Sequence, residues 1–591
     1  MTLPPLRRIK ELPGISSPFG RSRSPGRPSG TASRRPSADL PQMRSGTCRG
    51  EVARRSGGAR RGSAGGRVAY VRRGSCPRLG GGPGIRGNHM GTHDRSQPAF
   101  HWLFGDQLGP HFLRPDSELV MIESRGVFRR RRFHRAKAHL MLSAMRHRAA
   151  ELGDRVRYVQ ADTYRDGLAQ AVGDAQVTVH HPTSHAALGF VRGLRQVEVL
   201  PPRGFLVQPE AFSRWAESVR GGRLRMEDFY RRVRREHDLL MDGDQPAGGK
   251  WNLDAENREP PPKGTAALPV PPPYRPREDA IDEQVRADLD RWERSGDVSF
   301  VGRDGPRRFP AGRAEARRAL RAFVTRRLPT FGRWEDAMLA GDWTMSHSML
   351  SASLNLGLLD PAECVEAAEA AYRAGEAPLN SVEGYVRQVA GWREYMWNLY
   401  WYLGPGYRDS NALGHRAPVP DWFADLDADA VQARCLSTTL AQVRDRGWVH
   451  HIPRLMVLGN HALQRGWDPA AVTDWFHRCF VDAYDWVMLT NVIGMSQYAD
   501  GGRVTTKPYA SGGAYINTMS DLCGPCAYRP AERTGERACP YTAGYWEFVH
   551  RHRERLAHNH RTARAVKQLE RLGDLDDVLR NARRRDPDAA P

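Results

Sequence analysis

The hydrophobic periodicity of the chain changes near residue 312, and this change limits the fold more than any other feature. Before that point, short apolar runs alternate with a helical pattern at 133–152, which predicts a parallel, Rossmann-like α/β sheet. The runs start at Phe100 and continue at 118–124, 156–160, 177–180 and 205–207. After residue 312 the spacing is helical, at 312–326, 335–340, 361–375, 381–402, 429–446, 449–465 and 469–488. We therefore expect an N-terminal α/β domain followed by an all-α domain.

Residues 1–97 differ from the rest in composition. They are rich in Arg, Gly, Ser and Pro and carry 20 Lys+Arg against 4 Asp+Glu, so most of the net charge of +22 lies there. Such a segment cannot bury enough apolar surface to offset its ordering entropy, and we expect it to be disordered. It is either a basic nucleic-acid tail or an untranslated stretch before a start near Met90, and its composition favours the second interpretation.

The remaining chain divides by composition. We expect the α/β domain at 98–211, a helical and Pro-rich linker at 212–311, the helical domain at 312–560 and a basic helical end at 561–591. No run of 18 apolar residues occurs and no secretory signal pattern is visible. The pattern indicates no membrane span and a cytoplasmic location.

Polar residues follow two of the predicted strands. Asp106 and Gln107 come after the first strand, and Glu123 lies at the end of the second. Ligands of open parallel sheets bind beyond the carboxyl ends of the strands, so these side chains are candidates for a small-molecule site. Ordinary turn residues and helix caps are the alternative. Neither GxGxxG nor GxxxxGK[ST] occurs, so the sequence supports neither a dinucleotide fingerprint nor a P-loop.

Three of the eight cysteines lie close together late in the chain. Cys523 and Cys526 form a CxxC pair, and Cys539 follows after twelve intervening residues with a proline behind it. This spacing is typical of a metal site, and both zinc and an iron–sulfur cluster fit it. A CxxC redox pair is the other interpretation, but no βαβ pattern surrounds it. Spacing alone does not identify a fourth ligand.

Two more motifs of the helical half carry polar side chains suited to chemistry. His450 and His451 stand at a helix start, and neighbours on a helix point about 100° apart. Imidazole suits acid catalysis near neutral pH, and Arg454 nearby can hold an anion; satisfied core histidines are the alternative. The serines of 344–351 lie at a helix start, where free N–H groups bind phosphate, although simple capping explains them too.

Taken in chain order, these motifs resemble the photolyase/cryptochrome superfamily, most closely its bacterial iron–sulfur branch. The motifs are SHSxLS at 346–351, GWREY at 391–395, WxHHxxR at 448–454, NxIGMSQYADGG at 491–502, KPY at 507–509 and the CxxC…CP set. GDQL at 105–108 and GDQPAGGKWNLDAENR at 243–258 also match that branch. The resemblance spans about residues 100–560.

The resemblance implies an antenna chromophore in the α/β domain and a folded FAD in the helical domain. The FAD would be held by Ser346, His347, Ser348, Ser351, Trp392, Arg393, Arg454, Asp485 and Asn491. Cys435 would complete a Cys₄ set with Cys523, Cys526 and Cys539 for a 4Fe-4S cluster. The antenna would be 6,7-dimethyl-8-ribityllumazine, beside Asp106, Gln107 and Glu123.

The activity implied by the resemblance is light-driven repair of UV-damaged DNA, most closely of (6-4) photoproducts, by a nucleoid-associated monomer. His450, His451 and Tyr509 would face a flipped-out lesion, with a histidine as proton donor, and Trp475 would carry electrons. A cryptochrome that senses blue light without repair is the first alternative. A non-photochemical iron–sulfur protein that binds nucleic acid is the second.

The chain departs from the branch pattern at two places. His180-His181-Pro182 follows the strand at 177–180, where the branch has a T-E-P-type turn, and this bears on antenna binding. Phe476 stands where the branch commonly has a tyrosine. Because phenylalanine is much harder to oxidise than tyrosine, an electron path through Trp475 must skip Phe476.

Overall fold

A five-stranded parallel sheet forms the first part of the computed structural model, which describes residues 100–219, 223–584 and 588–591. The tail predicted at 1–97 lies outside the described residues. The strands are β1 (Phe100–Leu103), β2 (Glu118–Ser124), β3 (Val156–Ala161), β4 (Val177–His180) and β5 (Val197–Leu200). Their order is β3-β2-β1-β4-β5, with Trp102 of β1 paired to Val120 and Val179. The strand order therefore reverses between β1 and β4, where open sheets bind ligands.

Helices cover the sheet, which explains why its central strands β1 and β4 are almost wholly buried. The longest is α1 (Arg135–Leu152). The others are Gly126–Arg130, Tyr164–Val172, His185–Arg192 and Pro209–Ser218. The prediction of a parallel α/β sheet followed by helices is confirmed.

The segment predicted as a linker contains regular structure of its own. It holds the helix Met226–Glu236, a two-stranded hairpin of Met241–Asp242 and Gln245–Pro246, and helix α2 (Ala280–Arg294). α2 packs on α1 through Val285, Leu289 and Trp292, which share an apolar cluster with Leu142. This helix therefore extends the packing of the α/β part, while the exact domain limits stay a prediction.

The rest of the described chain is helical. The helices before residue 410 are Arg313–Arg326, Leu328–Phe331, Ser351–Asn355, Pro361–Arg373, Leu379–Val386, Arg387–Arg393 and Glu394–Leu403. Next come Asp421–Ala424, α3 (Arg434–Arg446), Pro453–Gly459, Asn460–Arg465, α4 (Pro469–Cys479), α5 (Asp485–Leu489) and Thr490–Ser496. The last are Gly513–Met519, α6 (Pro540–Arg551), Arg553–Ala557, Ala563–Leu569 and Leu575–Arg584. Within the described ranges, no helix has the length and apolar character that a bilayer crossing requires.

The prediction of a strand at 205–207 is wrong, because the fifth strand is Val197–Leu200. Residues 205–207 form a loop whose backbone N–H groups bond to a side chain instead of to a neighbouring strand. The N–H groups of Leu206 and Val207 donate to the buried carboxylate of Glu394 at 2.8 and 3.0 Å. A side chain from the helical half therefore replaces the neighbouring strand that these groups would otherwise need.

Two helix predictions also fail locally. Residues 335–340 are not helical; the backbone N–H of Met338 donates to the Met519 carbonyl instead, at 2.8 Å. The helix predicted at 469–488 is interrupted, since α4 ends at Cys479 and α5 begins at Asp485. In both places apolar spacing alone could not distinguish a buried irregular segment from a helix.

Lys137 ties α1 to the break between α4 and α5. Its ammonium is buried and donates to the carbonyls of His477 and Ala483 at 2.7 and 2.6 Å. It also lies 4.9 Å from the ring centroid of Phe133. Burial lowers the pKa of Lys137 to about 7, and the nearby Arg131 adds to this effect.

Replacing Lys137 by Met should remove a pH dependence of stability. In the folded chain the pKa of Lys137 is about 7, whereas a lysine of the unfolded chain has a pKa of about 10.4. Between these values the unfolded chain binds more protons, so raising the pH stabilises the wild type relative to the variant. Urea unfolding between about pH 7 and 9 measures this difference. The exposed Lys250→Met is the control and should show no such slope; a constant difference for Lys137→Met would contradict the assignment.

Candidate functional site

Within the described chain, three π-helical stretches lie in the helical half, at Arg387–Arg393, Pro453–Gly459 and Thr490–Ser496. Each contains residues predicted to hold a cofactor, namely Trp392 with Arg393, then Arg454, then Asn491. Such stretches are rare and often mark functional sites. All three are buried, so these side chains project into the interior rather than to the surface.

Asp482 is the buried carboxylate that joins several of these parts. It accepts hydrogen bonds from Arg454 at 2.9 and 3.1 Å, from the Ser351 hydroxyl at 2.8 Å and from the Trp448 indole at 3.0 Å. Burial alone would raise the pKa of Asp482, but Arg454 and Ser351 hold it below its usual value. The sequence analysis missed this residue, and its position in a segment predicted as helix concealed it.

The loop before helix Ser351–Asn355 is held in a strained conformation. Met345 and Met349 have φ angles of 47° and 60°, in the left-handed region that costs a non-glycine residue about 1–2 kcal/mol. The buried Arg327 stabilises this shape, because it donates to the carbonyls of Met345 and His347 at 2.7 and 3.1 Å. The loop is therefore fixed by a cation from the junction between helices Arg313–Arg326 and Leu328–Phe331.

The serines predicted to hold phosphates are bonded to the chain itself. Ser346 donates to the Phe331 carbonyl at 3.2 Å, and the Ser348 hydroxyl accepts from the N–H of Leu350 at 3.4 Å. Ser351 donates to Asp482. Each hydroxyl thus helps to shape the loop, but helix Ser351–Asn355 has no side-chain cap, so simple capping does not explain these serines.

His347, His450 and His451 form a buried cluster. The rings of His347 and His450 stack with centroids 4.5 Å apart, and His451 meets His347 edge-on at 5.3 Å. Burial lowers the pKa of His347 and of His450 well below the usual value, and His451 and Arg454 add to this effect. Both rings are therefore neutral near pH 7.

His451 differs from the other two histidines because it has an acidic partner. Its Nε2 lies 3.3 Å from Oδ1 of Asp336, and both side chains are buried. The other oxygen of Asp336 lies 3.9 Å from Nε of Arg258. This contact gives a proton on Nε2 of His451 a carboxylate acceptor. Asp336 was also missed by the sequence analysis, since it lies in the segment wrongly predicted as a helix.

The four predicted cysteine ligands line one cavity. Cys435 stands near the start of α3, Cys523 and Cys526 follow helix Gly513–Met519, and Cys539 directly precedes α6. Burial raises the pKa of Cys435 well above its usual value and that of Cys523 to about 12, and the neighbouring thiols add to both. Because a bound metal deprotonates the thiols that coordinate it, an all-thiol set buried in this way fits a thiolate-bound metal centre.

The three candidate antenna residues are bonded inside the chain. Gln107 donates to the His180 carbonyl at 3.0 Å, and Asp106 accepts from the Thr183 hydroxyl. These groups lie together at the carboxyl ends of β1 and β4. Glu123 instead accepts bonds of 2.8 and 3.0 Å from an arginine of α1. The structure thus brings two of the three together with the His180 turn and gives Glu123 a separate partner.

Arg393 and Glu394 seat the loop at 204–207 on the helical half. Arg393 donates to the Gly204 carbonyl at 3.0 Å and to Glu394 at 3.1 Å, and its guanidinium lies 4.3 Å from the Phe205 centroid. Phe205 also stacks on Trp397 at 3.8 Å. Burial raises the pKa of Glu394 to about 7, opposed by Arg393. Arg393 therefore has a structural role that its motif did not reveal.

Asp485, which the resemblance places beside the flavin, has partners within the chain. Its carboxylate accepts from Arg408 and, at 2.7 Å, from the Tyr400 hydroxyl. It is partly exposed, whereas Asp482 three residues earlier is fully buried. Of the two acids, Asp482 is the one that contacts the serine loop.

Trp475 is fully buried and packs against phenylalanines. Its ring centroid lies 4.4 Å from that of Phe423, 5.0 Å from Phe476 and 5.9 Å from Phe480, and its indole donates to the Phe423 carbonyl. Phenylalanine does not serve readily as an oxidisable relay. The ring pairs of the described chain therefore give Trp475 no redox-active neighbour.

A basic cleft opens beside Trp392 and Tyr509. Its described lining carries the cationic side chains of Arg223, Arg225, Arg503, Lys507 and Arg561. Glu227 is the one acidic residue in that described lining. A cleft with this charge excess attracts anions such as phosphate groups.

Several buried polar atoms of the site have no hydrogen-bond partner among the described residues. They are His347 Nε2, Trp392 Nε1, Arg393 Nε, His450 Nδ1, Asn491 Oδ1 and Gln497 Oε1. An unpaired buried polar group costs about 1–3 kcal/mol. A polar cofactor that offers both donors and acceptors fits this region.

Comparisons with known proteins agree with the motifs. A family model described as deoxyribodipyrimidine photo-lyase-related protein matches residues 101–298. A (6-4) photolyase of Agrobacterium fabrum is 39% identical over 497 residues, which cover 80% of this chain and 95% of that relative. The chain belongs to this photolyase-related family.

Two solved structures of photolyase/cryptochrome proteins are also similar to this chain. A bacterial class III photolyase from Agrobacterium tumefaciens matches with a TM-score of 0.45 and 17% identity, over 72% of this chain and 84% of that one. A cryptochrome from Synechocystis matches with a TM-score of 0.44 and 15% identity, over 68% of this chain and 82% of that one.

Replacing Asp482 by Asn should destabilise the protein strongly. The amide keeps the shape but leaves the buried charge of Arg454 unbalanced, and breaking a buried pair in this way typically costs about 3–5 kcal/mol. Asp485→Asn is the matched control, because its ion pair with Arg408 is partly exposed and such pairs are worth about 0–1 kcal/mol. Urea unfolding of the wild type, Asp482→Asn and Asp485→Asn measures the loss of unfolding free energy that each substitution causes. Equal losses from both substitutions would show that Asp482 is not the organising charge.

Proposed function

We propose that this protein is a light-driven DNA photolyase that repairs (6-4) photoproducts as a monomer. The identity with a (6-4) photolyase over most of both chains supports the reaction class. The observation that carries the proposal is the buried pair of His451 and Asp336, 3.3 Å apart. A lesion that gains negative charge needs a proton donor, and general acid catalysis of this kind suits imidazole.

His451 is the proton donor in this proposal, and His450 positions it. His450 is neutral, because burial and its stacking on His347 disfavour a second charge. Nε2 of His451 faces Asp336, so Nδ1 is the nitrogen that delivers the proton. The sequence alone left open which of the two histidines donates the proton, and the acidic partner favours His451.

The basic cleft is the proposed entry for damaged DNA. Its arginines and lysine bind phosphates with an affinity that falls as salt rises. Trp392 and Tyr509 add aromatic side chains to the lining of the same cleft. A damaged pair is extruded at lower cost than an intact one, which favours the lesion over normal DNA.

The residues present fit three cofactors. Bound reduced FAD supplies the electron under blue light, and Ser346, Ser348, Ser351, His347, Trp392, Arg454 and Asn491 would surround it together with Asp482. Cys435, Cys523, Cys526 and Cys539 would hold a 4Fe-4S cluster. A ribityllumazine antenna would lie at the β1 and β4 ends, near Asp106 and Gln107.

Replacing His451 by Ala should lower (6-4) repair by about 10²–10⁴-fold, the usual value of general acid catalysis. Asp336→Asn should also lower repair, because it removes the carboxylate that lies 3.3 Å from Nε2 of His451. His450→Ala is the matched control and should lose less. Light-dependent repair of a defined (6-4) oligonucleotide across pH measures all three. A wild-type rate for His451→Ala would contradict the assignment.

The same assay separates the alternatives. A protein with flavin photochemistry that repairs neither (6-4) photoproducts nor cyclobutane dimers is a cryptochrome-type sensor. A purified protein without flavin that still binds DNA and iron is a non-photochemical iron–sulfur protein. Both outcomes leave the fold intact and remove the repair proposal.

Replacing Cys435 by Ser should reduce bound iron and sulfide, since serine is a poor ligand for a cluster that prefers thiolates. Anaerobically purified wild type should contain about four iron and four sulfide per chain, as a Cys₄ cluster requires. Cys364→Ser changes a buried thiol that does not line the cavity and is the control. Stoichiometric zinc without sulfide would contradict the cluster, while an unaltered iron content in Cys435→Ser would exclude Cys435 as a ligand.

A further inference from the structure

The segment Asp588–Pro591 lies against the helical half, next to the cysteine cavity. The Pro591 carbonyl accepts hydrogen bonds from the N–H groups of Gln432 and Ala433 at 2.8 and 2.9 Å. The Asp588 carbonyl accepts from the indole N–H of Trp422 at 2.8 Å. Ala590 packs against the main apolar core of the chain. We call Asp588–Pro591 the strap.

The strap binds at the start of the helix that presents a cysteine to the cavity. Ala433 is the N-cap of α3 and gives that helix no side-chain cap, and Cys435 is the second residue of α3. Helix starts carry N–H groups without partners, and a neighbouring acceptor stabilises the chain there. Pro591 supplies an acceptor to the two peptide groups just ahead of α3. Ala433 itself lines the cysteine cavity, so the bond to Pro591 holds a wall of that cavity.

A second contact places the strap outside the cavity. Ala589, Ala590 and Pro591 border a depression whose lining also includes Tyr528 and Pro540. The same Tyr528 and Pro540 line the cysteine cavity from its other side. The strap is therefore separated from the thiols by a single layer of side chains.

We propose that the strap closes the Cys435 side of the metal centre and slows both the loss of iron and the entry of oxidants and chelators. This rests on the proposed 4Fe-4S cluster. The strap adds no ligand; it keeps the residues before α3 in place, so that the Cys435 thiol stays within the cavity. The indole N–H of Trp422 holds the Asp588 end of the strap. The backbone N–H groups of Gln432 and Ala433 hold the Pro591 end.

The test compares the full chain with a truncated chain that ends at residue 587. A third protein, Trp422→Phe, keeps an aromatic ring but lacks the N–H group that donates to Asp588. Trp251→Phe, at a half-buried tryptophan that packs on Arg235, is the control. Iron release to a ferrous chelator and bleaching of the cluster band in air are followed in all four proteins. We expect several-fold faster release and bleaching in the truncated chain, a smaller increase in Trp422→Phe and none in Trp251→Phe, with flavin content unchanged.

The two proposals fail in different ways. Equal release rates in the truncated chain and the full chain, both loaded with iron and sulfide, would overturn the strap while leaving the cluster in place. A full chain that binds no iron and sulfide would overturn the cluster, and the strap is then tested on the thiols themselves. In that case alkylation of Cys435, followed by mass spectrometry, should be several-fold faster in the truncated chain and in Trp422→Phe, and equal rates would overturn the strap. If the truncated chain does not fold, Trp422→Phe against Trp251→Phe decides the question.

Discussion

The buried ion pair of Asp482 and Arg454 is the interaction on which the helical half depends. Two charges taken out of water are tolerated only when further hydrogen bonds satisfy them, and here Ser351 and Trp448 complete the carboxylate. These partners come from the serine loop, the helix start before His450 and the π-helical stretch after it. One carboxylate therefore fixes the relative positions of three segments that the family motifs had identified separately.

The pair also explains why the helical pattern at 469–488 is interrupted. A continuous helix would bond its own backbone through residues 480–484 and could not place the carboxylate of Asp482 among these partners. The interruption frees backbone carbonyls, and Lys137 from α1 binds two of them, those of His477 and Ala483. A lysine of the α/β part thus satisfies carbonyl groups at the interruption between α4 and α5. The two halves are therefore linked by hydrogen bonds as well as by apolar packing.

The sequence predicted the parts of the fold that follow from periodicity, and missed those that depend on distant partners. Four of the five strands and the helical character after residue 312 could be predicted, because burial imposes a period on the apolar residues. The loop at 204–207 could not, since its N–H groups are satisfied by Glu394, about 190 residues away in the chain. In the same way cysteine spacing predicted three of the four thiols that line one cavity, while Cys435 entered only through a family resemblance.

In the proposed reaction, the surroundings of the three clustered histidines distinguish one of them as the proton donor. Rings in contact cannot all carry a charge, because each imidazolium raises the cost of the next and burial penalises every one of them. His347 and His450 are buried and stack on each other. His347 also lies near Arg327 and Arg454, and His450 lies near Arg454, so both rings stay neutral. Asp336 offers its negative charge to His451 alone among the three. Adjacency in the sequence made His450 and His451 interchangeable candidates; a carboxylate from a segment more than a hundred residues earlier makes them different.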